Sequence, residues 1–241
     1  MVKLHCLGLR RCHRFEQYFS RRLTFGETAL VLFLLGIAAG LVYMAYDFIT
    51  AQIHEARIRA AVPAVRAAVR QQRESIVKAI EAYKAQFGVY PPDHLLRRQP
   101  ILVDPVTNTL LYELTGVLYD PRAKMFQVAG LEPAEEAYVT NFFQCQRFKN
   151  CAEDAEHLKH FLPRDEAAPR QLHDDPDVFV LGFNTASAAI PPDLFWDIEA
   201  NVGSWRYVCS SATNNAGKFD LWIELKRGGR AVTIGNWKEV Q

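Results

Sequence analysis

Leu23-Thr24-Phe25-Gly26-Glu27 opens an uncharged run, Thr28 to Tyr46, on which the rest of the chain is organised. Nineteen residues without a charge, rich in Leu, Val, Phe and Ala, match the roughly 20 that cross a bilayer as a helix. Backbone polar groups find no water there, so a single isolated span has to be helical. The run is longer than the ~7–15 apolar residues of a cleavable secretory signal. We therefore expect an uncleaved membrane anchor.

Ahead of the run stand Lys3, Arg10, Arg11, Arg14, Arg21 and Arg22, opposed only by Glu16. Lys and Arg flanking a span are retained on the cytoplasmic side. Arg57, Arg59 and Arg66 follow the span, but further from it and less clustered. The expected topology is a single pass through the inner membrane, N-terminus cytoplasmic, with everything after about Asp47 periplasmic. The expected divisions are a basic leader (1–22), a transmembrane helix (23–49), its periplasmic continuation (50–87) and a globular head (88–241).

Helix formers dominate from Ala51 to Ala85. Ile76, Ile80, Tyr83 and Phe87 step by four, three and four, which makes one apolar stripe. Pro63 removes one hydrogen bond and predicts a kink, and Gly88 with Pro91-Pro92 predicts the stop. A helix from Thr28 to Phe87 would be about 90 Å long at 1.5 Å per residue.

The middle of the chain carries weaker signals. Asn108 to Leu114 predicts a short helix ended by Gly116, Val117-Leu118-Tyr119 an extended piece, Asp120-Pro121 a turn, and Met125 to Val128 a strand. Helices are expected over Glu135 to Phe148 and Ala152 to Phe161. On the second of these, His157 and His160 lie three apart with Glu153 and Glu156 one turn earlier. No standard zinc pattern is completed, and a solvated surface is expected there. His5-Cys6 and Cys12-His13 fit no zinc spacing either, and Asp174, Asp175 and Asp177 lack the glycine and terminal glutamate of a calcium loop. No metal or cofactor is expected.

The end of the chain alternates cleanly. Trp205 to Cys209 predicts a strand, Asn214, Asn215 and Gly217 a turn, and Phe219 to Leu225 a strand with Phe219, Leu221, Ile223 and Leu225 on one face. Counting from a two-residue turn at Gly228-Gly229 pairs Leu225 with Val232, Ile223 with Ile234 and Trp222 with Gly235. That register lets the Trp222 ring cover the bare glycine backbone. The architecture expected is α+β: a long N-terminal helix packed on a small antiparallel-sheet head.

The cysteines divide by compartment. Cys6 and Cys12 fall on the reducing side of the membrane, Cys145, Cys151 and Cys209 on the oxidising side. Cys145 and Cys151 are close enough in sequence for a disulfide that leaves Cys209 over; three free, partly buried thiols are the alternative.

Three groups of residues resemble the type II secretion pseudopilins and type IV pilins. Leu23-Thr24-Phe25-Gly26-Glu27 after a basic leader is similar to that family's Phe-Thr-Leu-Ile-Glu-like opening. Ala79-Ile80-Glu81-Ala82-Tyr83-Lys84 followed by Gly88-Val89-Tyr90-Pro91 is similar to the end of its long helix. Thr213-Asn214-Asn215, Phe219-Asp220-Leu221-Trp222 and Ile234-Gly235-Asn236-Trp237 resemble the closing sheet of pseudopilin-like proteins from planctomycete and verrucomicrobial bacteria. The resemblance implies a pilin-like fold and a role for Glu27 in docking against the free amine of a neighbouring processed subunit. It also implies a processing point between Arg22 and Leu23. The family has glycine where this chain has Arg22, and that departure predicts a leader that stays attached.

At 241 residues and 27.4 kDa the chain has room for one anchor and one modest head. Its formal charge of +1, with the basic excess in the leader, argues against nucleic acid as a partner. It holds no Gly-x-Ser-x-Gly elbow, no phosphate-cradling glycine loop and no His-Glu-x-x-His helix. The expectation is a structural subunit of a secretion or pilus-like filament, not an enzyme. Its partners would be other pseudopilin subunits, the inner membrane, prepilin peptidase and secreted proteins. The alternative is a membrane-anchored periplasmic enzyme or binding module using His157, His160 and the acidic loop.

Overall fold

The computed structural model describes residues 24–93, 104–172, 177–185, 194, 202–227 and 230–237. The chain divides into two units, Met1–Ala56 and Arg57–Gln241. Its organisation is α+β, one long N-terminal helix followed by small antiparallel and mixed sheets.

Helix α1 (Phe25–Phe87) contains 63 residues and runs through Pro63. It ends where expected. The N–H of Gly88 donates to the Lys84 carbonyl at 2.8 Å, and Gly88 sits at φ +75°, a conformation glycine enters without steric cost. In the first unit every described side chain from Thr24 to His54 is exposed. That includes Leu32, Phe33 and Val42, each with 64% or more of its surface open. Apolar surface on this scale is unfavourable in water and natural in hydrocarbon. This is the one helix among the described residues long and apolar enough to cross a membrane.

In the second unit the same helix supplies one wall of the core. Ala61, Val65, Ala68, Val69, Gln72, Ile76, Ala79, Ile80 and Tyr83 are buried. The buried stripe thus begins four turns earlier than the Ile76 at which the apolar periodicity was expected to start. Each fully buried Val or Ile contributes about 1.5–3 kcal/mol, so this row fastens the helix to the head. Tyr83, Phe87 and Phe161 close its end, with ring centroids 4.6 to 5.8 Å apart.

The rest of the head is built from short pieces: α2 (Leu110–Thr115), β1 (Val117–Asp120), β2 (Met125–Val128), β3 (Ala134–Glu135), α3 (Glu136–Phe142) and β4 (Cys151–Ala152). Four of them form a sheet in the order β3-β2-β1-β4, antiparallel except for the parallel β1–β4 pair. Behind it Tyr112 stacks on Phe148 at 4.7 Å, with Phe143 and Phe126 at their edges. Strands β5 (Ala168–Gln171) and β6 (Phe179–Gly182) pair together, as do β7 (Arg206–Val208), β8 (Asp220–Arg227) and β9 (Arg230–Gly235). Bridges from Ser204 to Gly182 and from Val202 to Leu225 set the segment before β7 between β6 and β8. That segment joins the two sheets.

Two expected helices are corrected. The first is only α3, ending at Phe142; Gln144 lies at φ +48°, outside helical space. The second does not form. Asp154 Oδ1 accepts from the N–H groups of Glu156 and His157 at 3.1 Å, and the Asn150 side chain bonds both the N–H and the carbonyl of Lys159. Side chains that capture the backbone in this way compete with helix.

The hairpin register is as expected: Leu225 opposes Val232, Ile223 opposes Ile234 and Trp222 opposes Gly235. The ring over the glycine is a different one. Trp237 lies where a Cβ on Gly235 would come within 2.6–2.7 Å of three of its atoms, and Trp222 meets that ring edge-on at 5.8 Å. Gly235→Ala should therefore destabilise the head by about 1–3 kcal/mol, the usual cost of overpacking. The cost should shrink in a Trp237→Ala background, read as a double-mutant cycle of thermal midpoints. Equal costs in both backgrounds would remove the ring from the account.

Candidate assembly site

The residue singled out in the first unit is Glu27, and its local chemistry is a capping box. Glu27 Oε2 accepts from the Thr24 N–H at 2.8 Å and from the Thr24 hydroxyl at 3.0 Å. The Glu27 N–H donates back to Thr24 Oγ1 at 3.4 Å. A Thr followed three residues later by a Glu satisfies two otherwise orphaned N–H groups at a helix start, with the carboxylate at the positive end of the helix dipole. The Thr-x-x-Glu signature was present in the sequence, although the resemblance pointed only to the glutamate. Arg22 and Leu23, the expected processing residues, lie outside the described residues.

In the second unit, five polar side chains hold helix α1 and the chain leaving it to the head. Gln72 sits inside the apolar stripe and is buried. Its Nε2 donates to the carbonyls of Glu166 and Gly182, and its Oε1 accepts from the Asn184 N–H and from Trp205 Nε1. Arg73 Nη1 donates to the Gly235 carbonyl at 2.7 Å.

Glu113 on α2 has no exposed surface. It accepts from the Tyr83 hydroxyl at 2.9 Å and from the N–H groups of Lys149 and Asn150 at 3.1 and 3.0 Å. Burial pushes its carboxyl above the usual value, and these donors pull part of the way back. Asp93 Oδ2 accepts from the N–H groups of Cys209 and Ser210 and from the Ser210 hydroxyl. The Tyr207 hydroxyl donates to the Pro91 carbonyl at 2.8 Å.

The closing turn is fastened by Asp220, which accepts from the N–H groups of Thr213, Asn214 and Asn215 at 2.8–2.9 Å. Burial alone would raise its carboxyl, but those donors outweigh it and hold the group below the usual range. The Thr213-Asn214-Asn215 and Asp220 residues of the resemblance are thus one hydrogen-bonded unit, with Asn236 bonded to Asn215.

The remaining candidates separate. His157 Nδ1 lies 2.6 Å from Asp154 Oδ1, while His160 Nδ1 lies 2.6 Å from the Thr115 carbonyl. The two rings face different partners, and no cluster with metal-ligand geometry exists among the described residues. Asp174 and Asp175 lie outside them.

The Cys145–Cys151 disulfide is not made. Cys151 is a free thiol in the edge strand β4, half-buried and hydrogen-bonded with the Arg147 guanidinium. Burial, with the Asp93 carboxylate nearby, pushes the Cys209 thiol up to about 11.

Gln72, Asp93, Glu113 and Asp220 had not been singled out as site residues. For Gln72 a signal existed: it continues the four-three-four spacing of Val65, Val69 and Ile76 as a polar residue in an apolar row. Comparison with protein-family models, with curated proteins and with solved structures finds no match to this chain.

Proposed function

We propose that this chain is a membrane-rooted structural subunit of the pseudopilin kind, which acts by assembly and not by catalysis. The observation that carries the proposal is the first part of helix α1. It presents apolar side chains on every side and begins at a carboxylate held by its own capping box. Such a surface is satisfied by lipid or by the equivalent helices of neighbouring subunits. Glu27 would guide docking at the membrane edge, where an opposite charge on a neighbour offsets the cost of a carboxylate near lipid. The head would present its surface to partner subunits and secreted proteins on the periplasmic side.

The test is expression of the full chain in a bacterium, followed by alkaline washing of the membranes and crosslinking in intact cells. The chain should stay with the washed membranes and give a ladder of oligomers. Release by the wash, or a single monomer band after crosslinking, would overturn the reading.

A further inference from the structure

Strand β9 is the outer strand of its sheet, with β8 on one side and no described strand on the other. The Asn236 N–H donates to the Leu221 carbonyl at 2.9 Å, which fixes the alternation of the β8–β9 ladder. Arg230, Val232 and Ile234 therefore bond to β8, and the N–H and C=O groups of Ala231, Thr233 and Gly235 point away from it. Arg73 Nη1 reaches the last of these carbonyls, that of Gly235, at 2.7 Å. Ala231, Val232 and Thr233 are all exposed, although their side chains alternate between the two faces of the sheet. What the three share is the open side.

The other sheet edges among the described residues are guarded, as exposed edges usually are. Strands β3 and β4 are two residues long, and β5 carries Pro169, which has no N–H to offer. The outer side of β7 is occupied, since the Tyr207 N–H donates to the Pro105 carbonyl. Strand β9 has six residues with neither a proline nor an acidic side chain among them.

We infer that β9 is completed by an extended segment of a partner protein on the head's side of the membrane, added as a further strand. Donors and acceptors repeating along an edge are matched by another extended backbone. The residue opposite Val232 shares its core-side face and is apolar, because it covers a side chain still 39% open. The residue opposite Ala231 lies on the outer face, across a methyl group from Lys226 of β8. Lys226 is exposed and makes no ion pair among the described residues, so an acidic residue fits there. Glu224, the other charge of β8 on that face, is already paired with Arg206. A second copy's β9 would pair antiparallel about a two-fold axis normal to the sheet. Helix α1 packs on the core face of that sheet, so this axis would reverse it, and two copies rooted in one membrane cannot meet so. The inference rests on the membrane-rooted reading above and gives it a partner of stated chemistry.

The test is amide hydrogen exchange of the full chain in lipid nanodiscs, with the blocked peptide Thr-Val-Glu-Val-Thr-Val at millimolar concentration as the probe. Exchange at Ala231 and Thr233 should be fast in the free chain and about tenfold slower or more with the peptide. The same peptide with Lys in place of Glu should protect less, and Lys226→Glu should reverse that preference. Ala231→Pro removes an N–H that bonds nothing in β8, so the sheet should stand while the protection is lost. Absence of protection in the wild-type chain, or an unchanged preference in Lys226→Glu, would overturn the inference. So would protection of β9 in the free chain that rises with the number of copies per disc, which would assign the edge to a second copy. Release of the chain by the alkaline wash, with peptide protection intact, would overturn the rooted reading and leave the strand addition standing.

Discussion

Replacing Glu113 by alanine is expected to destabilise the head by about 3 kcal/mol or more, the largest effect of any single polar change in it. Three donors, the Tyr83 hydroxyl and the N–H groups of Lys149 and Asn150, would lose their acceptor in a site without solvent. A buried donor left unsatisfied costs about 1–3 kcal/mol, and relief of the buried carboxylate returns only part of the sum. Glu113→Gln separates charge from geometry. It keeps the volume but turns an amide NH2 toward a backbone N–H, so it too should lose stability, by about 1–3 kcal/mol.

The pH dependence carries a definite sign. The folded-state carboxyl of Glu113 is raised, so the stability it contributes is present below the unfolded value and is lost as pH rises through the folded one. Glu113→Gln should abolish that portion of the profile. Asp220 has the opposite sign: its folded value is depressed, and its contribution is lost as pH falls through that value. Denaturant titrations across acid to neutral pH check both. A Glu113→Ala head as stable as wild type would show that the three donors find other acceptors.

Glu27→Ala is expected to leave the head's melting unchanged and to cut the crosslinked oligomer yield about tenfold or more, the value of one charge-assisted hydrogen bond of ~1.5–3 kcal/mol. The alanine variant also loses the capping box with Thr24, which by itself frays the first turn at a cost of about 1 kcal/mol. Glu27→Gln distinguishes the two roles, since glutamine serves at that position of a capping box but carries no charge. Assembly lost in both variants means that the charge is what a neighbour recognises. Assembly recovered by glutamine means that Glu27 matters as a cap, and the docking role falls.

How much of this was legible beforehand follows the range of the interactions. The apolar first part of the long helix, the helix itself, its stop at Gly88 and the register of the last hairpin come from local rules: an uncharged run of bilayer length, helical spacing, a glycine at positive φ, a period of two. Each was readable because residues near in sequence decide it. The helix expected from Ala152 to Phe161 failed for the same reason in reverse. Its composition favours a helix, but Asn150 and Asp154 bond the backbone of that stretch in turns that propensity does not weigh.

Only the tertiary structure could assign the polar residues of the head. Gln72 reaches carbonyls and donors 94 to 133 residues away, Glu113 meets Tyr83 and Asn150, and Asp93 holds the end of β7 from 116 residues upstream. In the linear sequence Glu113 and Asp93 read as ordinary solvated side chains, and Gln72 is marked only by its place in the apolar row. Packing makes them otherwise: once helix α1 buries its stripe, any polar group caught with it must find its partner inside the protein, and the partner comes from whichever segment the fold brings there. The sequence alone determined that the chain has a long helix whose first part is apolar enough to cross a membrane, and a terminal sheet; which side chains bind that helix to that sheet was decided by burial.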